Sequence, residues 1–393
     1  MKIYIIGGGC GNFNMITKEA QSAIDRCEVI VGPERITAPY AKEKKTFTEY
    51  KAEKIKCLID DEKKDTAVLM GGDTGFYSGA KKLLELLDGY ETEVIPGISS
   101  VSYFASKIGV PWHDWKFISL HGTSCNFIGH IRENKYTFAI LSSGSDISTI
   151  CAKLILYNMN DIELYIGENL SYSDEKIEKG TAEYMLKKDF KNLSVILAVN
   201  EKAEKKYGEV PDKEFIRDRV PMTKSEIRTV SLSKLGLKSD SVLYDIGAGT
   251  GSVAISAALL NTDLKVFAVE KNEKALNLIN LNKIKFAVDN VEIVNGEAPE
   301  ILEGLPEPTH VFIGGSGGKL KEIISCMLIK KRGVKFVINT VTVETLCEIK
   351  NILDKHSIEA EIVQLIPSKG EKNGKYTLMK SANPVYIISF SGR

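Results

Sequence analysis

Short runs rich in β-branched and aliphatic residues alternate with longer amphipathic stretches from one end of the chain to the other. The pattern predicts strands over Lys2–Ile6, Val29–Val31, Ala67–Met70, Glu93–Ile95, Phe117–Leu120, Phe138–Leu141, Leu164–Ile166 and Val195–Val199. A second series follows at Val242–Ile246, Lys265–Val269, Val291–Val294, His310–Ile313, Phe336–Asn339, Glu361–Leu365 and Val385–Phe390. Strand–helix alternation of this kind indicates an α/β protein with mainly parallel sheets covered by helices. Between the two series lies Glu201–Glu214, reading EKAEKKYGEVPDKE, which is dense in charge, carries a Gly and a Pro, and lacks a full apolar stripe. A solvated helix end could read the same way, but two complete α/β sets flank this one. We therefore expect two domains, 1–203 and 204–393, joined here. Their motifs come in different orders, so the halves are a fusion rather than a duplication.

Size and composition agree with this division. At 393 residues the chain exceeds one ordinary core, and 43% hydrophobic with 26% charged residues is close to the soluble average. Lysine plus arginine and aspartate plus glutamate each number 52, so the basic excess that draws a protein to nucleic acid is absent. Seven scattered cysteines form no C-x-x-C pair, which fits neither a disulfide framework nor a zinc knuckle. They are expected to be buried free thiols in a reducing compartment. No metal constellation stands out among the five histidines. The N-terminus lacks a signal-like apolar stretch, and the longest apolar run, Ser252–Leu260, is too short to span a membrane. A cytoplasmic protein is the expectation.

In the second half the strand Val242–Ile246 runs directly into Gly247-Ala-Gly-Thr-Gly251 and then the small-residue helix beginning at Ser252. Glycines at alternate positions allow a sharp turn and close approach of a ligand to the backbone. The spacing is G-x-G-x-G, not the G-x-G-x-x-G of dinucleotide folds. Glu270 ends the next strand, about 20 positions on, where a carboxylate can accept both hydroxyls of a ribose. Gly296-Glu-Ala-Pro299 then forms a loop after the third strand. A plain tight turn and a solvated strand end would use the same residues. The three elements in this order favour S-adenosylmethionine.

From Val210 onward the chain closely resembles the decarboxylating cobalt-precorrin C15 methyltransferase family. The likeness rests on Pro211-Asp-Lys-Glu-Phe-Ile-Arg217, Val220-Pro-Met-Thr-Lys224, Tyr244–Gly251 and Phe312-Ile-Gly-Gly-Ser-Gly-Gly318. It implies a Rossmann-like class I methyltransferase fold, with Thr223, Gly247, Ala248, Gly249, Thr250, Gly251, Glu270 and Ala298 contacting S-adenosylmethionine. Gly314, Gly315, Ser316, Gly317 and Gly318 would face the acceptor.

The first half is built differently. Lys2–Ile6 runs into Gly7-Gly-Gly-Cys-Gly11, and two later motifs, Met70-Gly-Gly-Asp-Thr-Gly-Phe-Tyr77 and Ile95-Pro-Gly-Ile-Ser-Ser100, also follow strands. Small residues at the carboxyl ends of strands are where open α/β sheets bind ligands. With Ser119-Leu-His-Gly122, this order resembles the tetrapyrrole methylase family, and most of all its corrin-ring C5 branch, over about Met1 to Asn200. The resemblance implies two α/β subdomains with S-adenosylmethionine in the cleft between them. Gly72, Asp73, Gly75, Phe76, Tyr77, Ser99 and Ser100 would contact the cofactor, and His121 is a candidate substrate contact. Cys10 and Asn12 stand where the family's opening turn usually has Pro and Asp, and Thr123 stands where arginine commonly follows His-Gly.

Together the resemblances imply methylation of a corrin precursor at carbons 5 and 15, with decarboxylation of the C12 acetate side chain, in cobalamin biosynthesis. A homo-oligomer is expected, since relatives of both halves usually assemble. A carboxylate-fringed tetrapyrrole also calls for Lys or Arg donors, for which Arg217, Arg219, Lys224, Arg228, Lys319 and Lys369 are candidates. Methyl transfer needs no covalent nucleophile, and no Ser/His/Asp or Cys/His arrangement stands out. Two other readings are an NAD-type oxidoreductase, which the glycine spacing opposes, and a non-catalytic S-adenosylmethionine or tetrapyrrole sensor.

Overall fold

The computed structural model describes residues 1–120, 125–205 and 210–392. They divide into two compact units, one of residues 1–125, 134–152 and 160–201, the other of residues 126–133, 153–159 and 202–393.

The first unit carries two five-stranded sheets. Strands β1 (Lys2–Gly7), β2 (Val29–Gly32), β3 (Lys45–Thr48), β4 (Thr66–Met70) and β5 (Glu91–Ile95) pair in the order β3-β2-β4-β1-β5. Every pairing in this sheet is parallel. Its central strands are buried on both faces, with Ile3, Ile5 and Ile6 of β1 fully enclosed, which explains why their sequences do not alternate. The second sheet contains β6 (Lys116–Ser119), β7 (Tyr136–Ile140), β8 (Glu163–Glu168), β9 (Lys176–Thr181) and β10 (Ser194–Val199), ordered β6-β7-β10-β8-β9. Here only β6 and β7 are parallel, and the other three pairings are antiparallel. The expectation of mainly parallel sheets fails for this one. β9, reading KIEKGT, is an edge strand, too polar to show in a hydrophobicity pattern.

The second unit has a seven-stranded sheet. Its strands are β11 (Val242–Ile246), β12 (Lys265–Glu270), β13 (Val291–Asn295), β14 (His310–Ile313), β15 (Lys335–Thr340), β16 (Ala360–Leu365) and, after a hairpin, β19 (Val385–Ser391). The order is β13-β12-β11-β14-β15-β19-β16, with β19 antiparallel to both of its neighbours. Chain direction along the sheet reverses between β11 and β14, the switch point at which doubly wound sheets open a crevice. The helix Ser252–Leu260 packs on this sheet and is buried on all sides except at Leu260. Its alanines and serines permit that close approach. The hairpin, β17 (Ser368–Asn373) and β18 (Tyr376–Ser381), pairs only with itself and is exposed along its whole length.

All seven cysteines are free, but only Cys10, Cys27 and Cys151 are buried; Cys57 and Cys347 are exposed. Burial therefore does not explain the exposed pair. Among the described residues no helix is long and apolar enough to cross a membrane.

Arg228 was a candidate donor to the acceptor, but it is only 1% exposed. From the helix Ser225–Leu235 its Nη1 donates to the Thr223 carbonyl at 2.6 Å and to the Asp212 carboxylate at 3.2 Å. Its Nη2 donates to the Val210 carbonyl, and the guanidinium lies 4.8 Å from the centre of the Phe215 ring. One buried cation thus gathers the lead-in segment and holds the backbone at Thr223. Removing one partner of a buried pair strands the other, a loss of about 3–5 kcal/mol. Arg228→Met should accordingly lower the melting temperature of the second unit by roughly 10 °C in calorimetry. A shift below about 2 °C would show that water replaces these bonds without loss.

Candidate active site

In the second unit the two glycine-rich loops leave the sheet side by side, at the carboxyl ends of β11 and β14. Backbone bonds fix them there: Gly247 N–H donates to Val269 O at 3.0 Å and Gly314 N–H to Ile246 O at 3.0 Å. Their main chains are packed so tightly that a Cβ on Gly247 would lie 2.4 Å from Gly315 O, and Gly247 has φ of 71°. Only glycine meets both conditions. The Val220–Lys224 box lies over the same turn, since a Cβ on Gly249 would come within 2.9 Å of Pro221 O.

These segments surround a cavity of about 880 Å³. Thr223, Gly247, Ala248, Gly249, Glu270, Ala298 and Gly314 to Gly317 are on its walls. Thr250, Gly251 and Gly318 are not: Thr250 is buried, and Gly251 caps the start of the following helix. The Glu270 carboxylate is fixed at its rim, accepting from Gly249 N–H, Lys271 N–H and Asn272 N–H, each at 2.9 Å. Glu297, also on the wall, takes Lys271 Nζ at 2.8 Å and Lys319 Nζ at 3.4 Å. Lys319 is thereby engaged within the protein, as Lys369 is by Glu226 at 2.7 Å. Arg219 and Lys224 do reach the cavity wall.

Sequence reasoning missed one wall, Asn339 to Thr342 at the end of β15. Its signal was available: Asn339 and Thr340 directly after the apolar run Phe336–Ile338, at the carboxyl end of a strand parallel to β14.

In the first unit the three motifs converge at the carboxyl ends of β4, β1 and β5, which are neighbours in the sheet. Gly9 and Gly72 exchange backbone hydrogen bonds at 3.1 and 2.7 Å. A Cβ on Gly7 would lie 2.4 Å from Gly97 N, so these loops too are packed backbone on backbone. Asp73 joins two of them, accepting from Gly97 N–H at 3.0 Å with one oxygen and from Gly75 N–H at 2.8 Å with the other. Phe76 packs edge-on against Tyr77 and Phe117, and Tyr77 donates to Phe117 O at 3.1 Å. Ser99 caps the helix that Ser100 begins, accepting from Ser102 N–H at 3.2 Å. His121 lies outside the described residues.

Comparison with known proteins follows this division. Residues 2–185 match the tetrapyrrole (corrin/porphyrin) methylase family, and residues 213–391 match the precorrin methyltransferase domain. Over 183 residues the chain is 42% identical to a cobalt-precorrin-6B C(15)-methyltransferase (decarboxylating) of Pyrobaculum calidifontis, covering 46% of this chain and 94% of that protein. The chain belongs to the precorrin methyltransferase family. A precorrin-6Y C(5,15)-methyltransferase (decarboxylating) of Sinorhizobium is 26% identical over 325 residues, 81% of this chain and 78% of its own length. A solved precorrin-6Y C5,15-methyltransferase structure from Geobacter metallireducens, 42% identical, covers 46% of this methyltransferase and 96% of its own chain with a TM-score of 0.45. Enzymes of these families take their methyl group from S-adenosylmethionine.

Beneath the glycine turn of the second half, Asp245 is fully enclosed; one carboxylate oxygen accepts from Ala254 N–H at 2.9 Å and the other has no partner. Burial pushes its pKa up to about 7, against the bond from Ala254, with the Glu270 charge adding to the rise. A folded pKa above the unfolded value of about 3.9 gives stability that is complete below pH 4 and is lost as the pH climbs through about 7. Asp245→Asn should therefore gain on the parent protein between pH 5 and pH 8, by on the order of 2–3 kcal/mol, whatever its constant offset. Parallel unfolding curves across that range would show that Asp245 is ionised throughout.

Proposed function

We propose that this chain methylates a corrin precursor at carbons 5 and 15 and removes carbon dioxide from its C12 acetate side chain, in cobalamin biosynthesis. One observation carries the reading: a tetrapyrrole methylase half and a precorrin methyltransferase half stand in one chain, in the order of the Sinorhizobium enzyme. Domain 1–203 would act at carbon 5, and domain 204–393 at carbon 15 and in the decarboxylation.

When bound, S-adenosylmethionine supplies a methyl group already activated on sulfur, so the protein's task is alignment and exclusion of water. In the second domain a cavity of about 880 Å³ is large enough for a nucleoside joined to an amino acid. We assign its donor side to Thr223, Gly247 to Gly251, Glu270 and Ala298, and its acceptor side to Gly314–Gly318. Thr250 and Gly251 would act from behind the turn. Three of the roughly four lone-pair sites of Glu270 are already taken by backbone donors. A ribose diol needs two, so its binding requires one of these three backbone donors to let go. In the first domain we assign Gly72, Asp73, Gly75, Phe76, Tyr77, Ser99 and Ser100 to the donor, with His121 at the acceptor. Asp73 would serve by holding the loops in place. No described group on these walls is needed as a nucleophile, because the conjugated macrocycle can itself take the electrons released with carbon dioxide.

The balanced charge and free thiols suit a cytoplasmic enzyme that does not bind nucleic acid. We further propose a homo-oligomer. The β17–β18 hairpin leaves Tyr376, Leu378 and Met379 exposed, and a two-stranded ribbon that pairs with no other strand is marginal in water. A second copy of the chain would cover it.

Mass spectrometry of the products from full-length protein, S-adenosylmethionine and a corrin precursor should show two methyl groups gained and one carbon dioxide lost. Gly247→Ala should abolish the carbon-15 methyl and the decarboxylation while the carbon-5 methyl remains. No methylation by the parent protein would favour a sensor instead. Light scattering should find an oligomer that Leu378→Glu with Met379→Glu dissociates; a monomeric parent would end that part of the proposal.

A further inference from the structure

The short helix Glu34–Thr37 follows β2 of the first sheet and carries Arg35. Its Nη1 donates to Tyr172 Oη at 3.2 Å, and Tyr172 comes from the segment after β8 of the second sheet. Both side chains occupy space that glycines leave open. A Cβ on Gly71 would lie 2.6 Å from Arg35 Nη2, and one on Gly11 would lie 2.1 Å from Tyr172 Oη. These two glycines of the motif loops therefore accommodate a polar pair from the protein itself.

No carboxylate among the described residues pairs with Arg35, which is exposed. Asn12, where the family's opening turn has an acid, is neutral and tied down. Its N–H donates to Ser171 Oγ at 3.1 Å, its Nδ2 to Ser171 O at 3.1 Å, and its Oδ1 accepts from Asn14 N–H at 2.9 Å. The nearby Glu175 is already engaged, by Ser171 N–H at 2.6 Å and Lys107 Nζ at 2.9 Å. Of its five N–H donors, one meets Tyr172, leaving a fork that matches a carboxylate. The Tyr172 oxygen accepts from Arg35 and keeps its own proton to donate onward to the same anion.

We infer that Arg35, positioned by Tyr172, binds a peripheral carboxylate of the tetrapyrrole acceptor in the first half of the chain. This rests on the function proposed above. With full-length protein, Arg35→Met should raise the KM for carbon-5 methylation about 10- to 100-fold, as loss of a charge-assisted pair does. The kcat, the Kd for S-adenosylmethionine and the melting temperature should hardly change. Arg35→Lys should recover part of the loss, and Tyr172→Phe should show a smaller one. With the methyl-esterified acceptor, parent and Arg35→Met should have the same KM. An unchanged KM on the free acid, or an equal loss on the ester, would overturn the assignment. If the parent protein itself fails to methylate carbon 5, the parent reading is at fault, and binding decides the anchor. Fluorescence titration with uroporphyrin should then give a weaker Kd for Arg35→Met than for the parent, and no difference with the octamethyl ester. Equal uroporphyrin binding would refute it.

Discussion

Both halves of this protein depend on main chain packed directly against main chain at the carboxyl ends of parallel strands. In the second unit Gly247 and Gly315 meet this way, and in the first Gly7 and Gly97 do. A polar backbone can be packed so closely only where its N–H and C=O groups are paired, and here neighbouring strands pair them: Val269 O holds Gly247 and Ala248, and Ile246 O holds Gly314. In the second unit backbone bonds hold the loops, and in the first the Asp73 side chain adds to them. Side chains from elsewhere can then reach the crevice.

The two units arrive at this arrangement through different sheets. In the second, the crevice opens where the strand order reverses between β11 and β14. In the first, three adjacent parallel strands, β4, β1 and β5, deliver three loops to one edge, and Asp73 ties two of them together. Gly-rich motifs in the two halves therefore do the same mechanical job, although neither the topology nor the motif order is shared. The cofactor of these families suits such a turn because it presents a nucleoside and an amino acid rather than a pyrophosphate.

Charge is partitioned by burial rather than by residue type. Arg228 is enclosed and holds the lead-in segment to its helix, whereas Arg219 is exposed on the cavity wall and Arg35 is exposed beside Gly71. Lys319 and Lys369 are engaged by carboxylates of their own unit. What distinguishes these cations is the set of acids and carbonyls that the fold brings near each one, and those partners lie up to 143 positions away, as with Lys369 and Glu226.

Local chemistry determined a good part of this protein. The apolar runs place all fifteen strands expected from them, and central strands such as β1 and β10, buried on both faces, are apolar nearly throughout. The run Asp245–Gly251 and the boxes around it pointed to the cofactor and the family, because a turn that excludes Cβ atoms has few alternatives to glycine. Four further strands, β3, β9, β17 and β18, were not legible, since these edge and hairpin strands are short or polar and carry no apolar run. The antiparallel pairing of the second sheet was likewise invisible, because pairing direction depends on partners distant in sequence. Only the tertiary structure decided that Arg228 is internal, that Asn339 to Thr342 form a cavity wall, and that Arg35 stands beside Tyr172. Each of these follows from long-range packing, which sets burial and neighbours and so turns a residue type into a role.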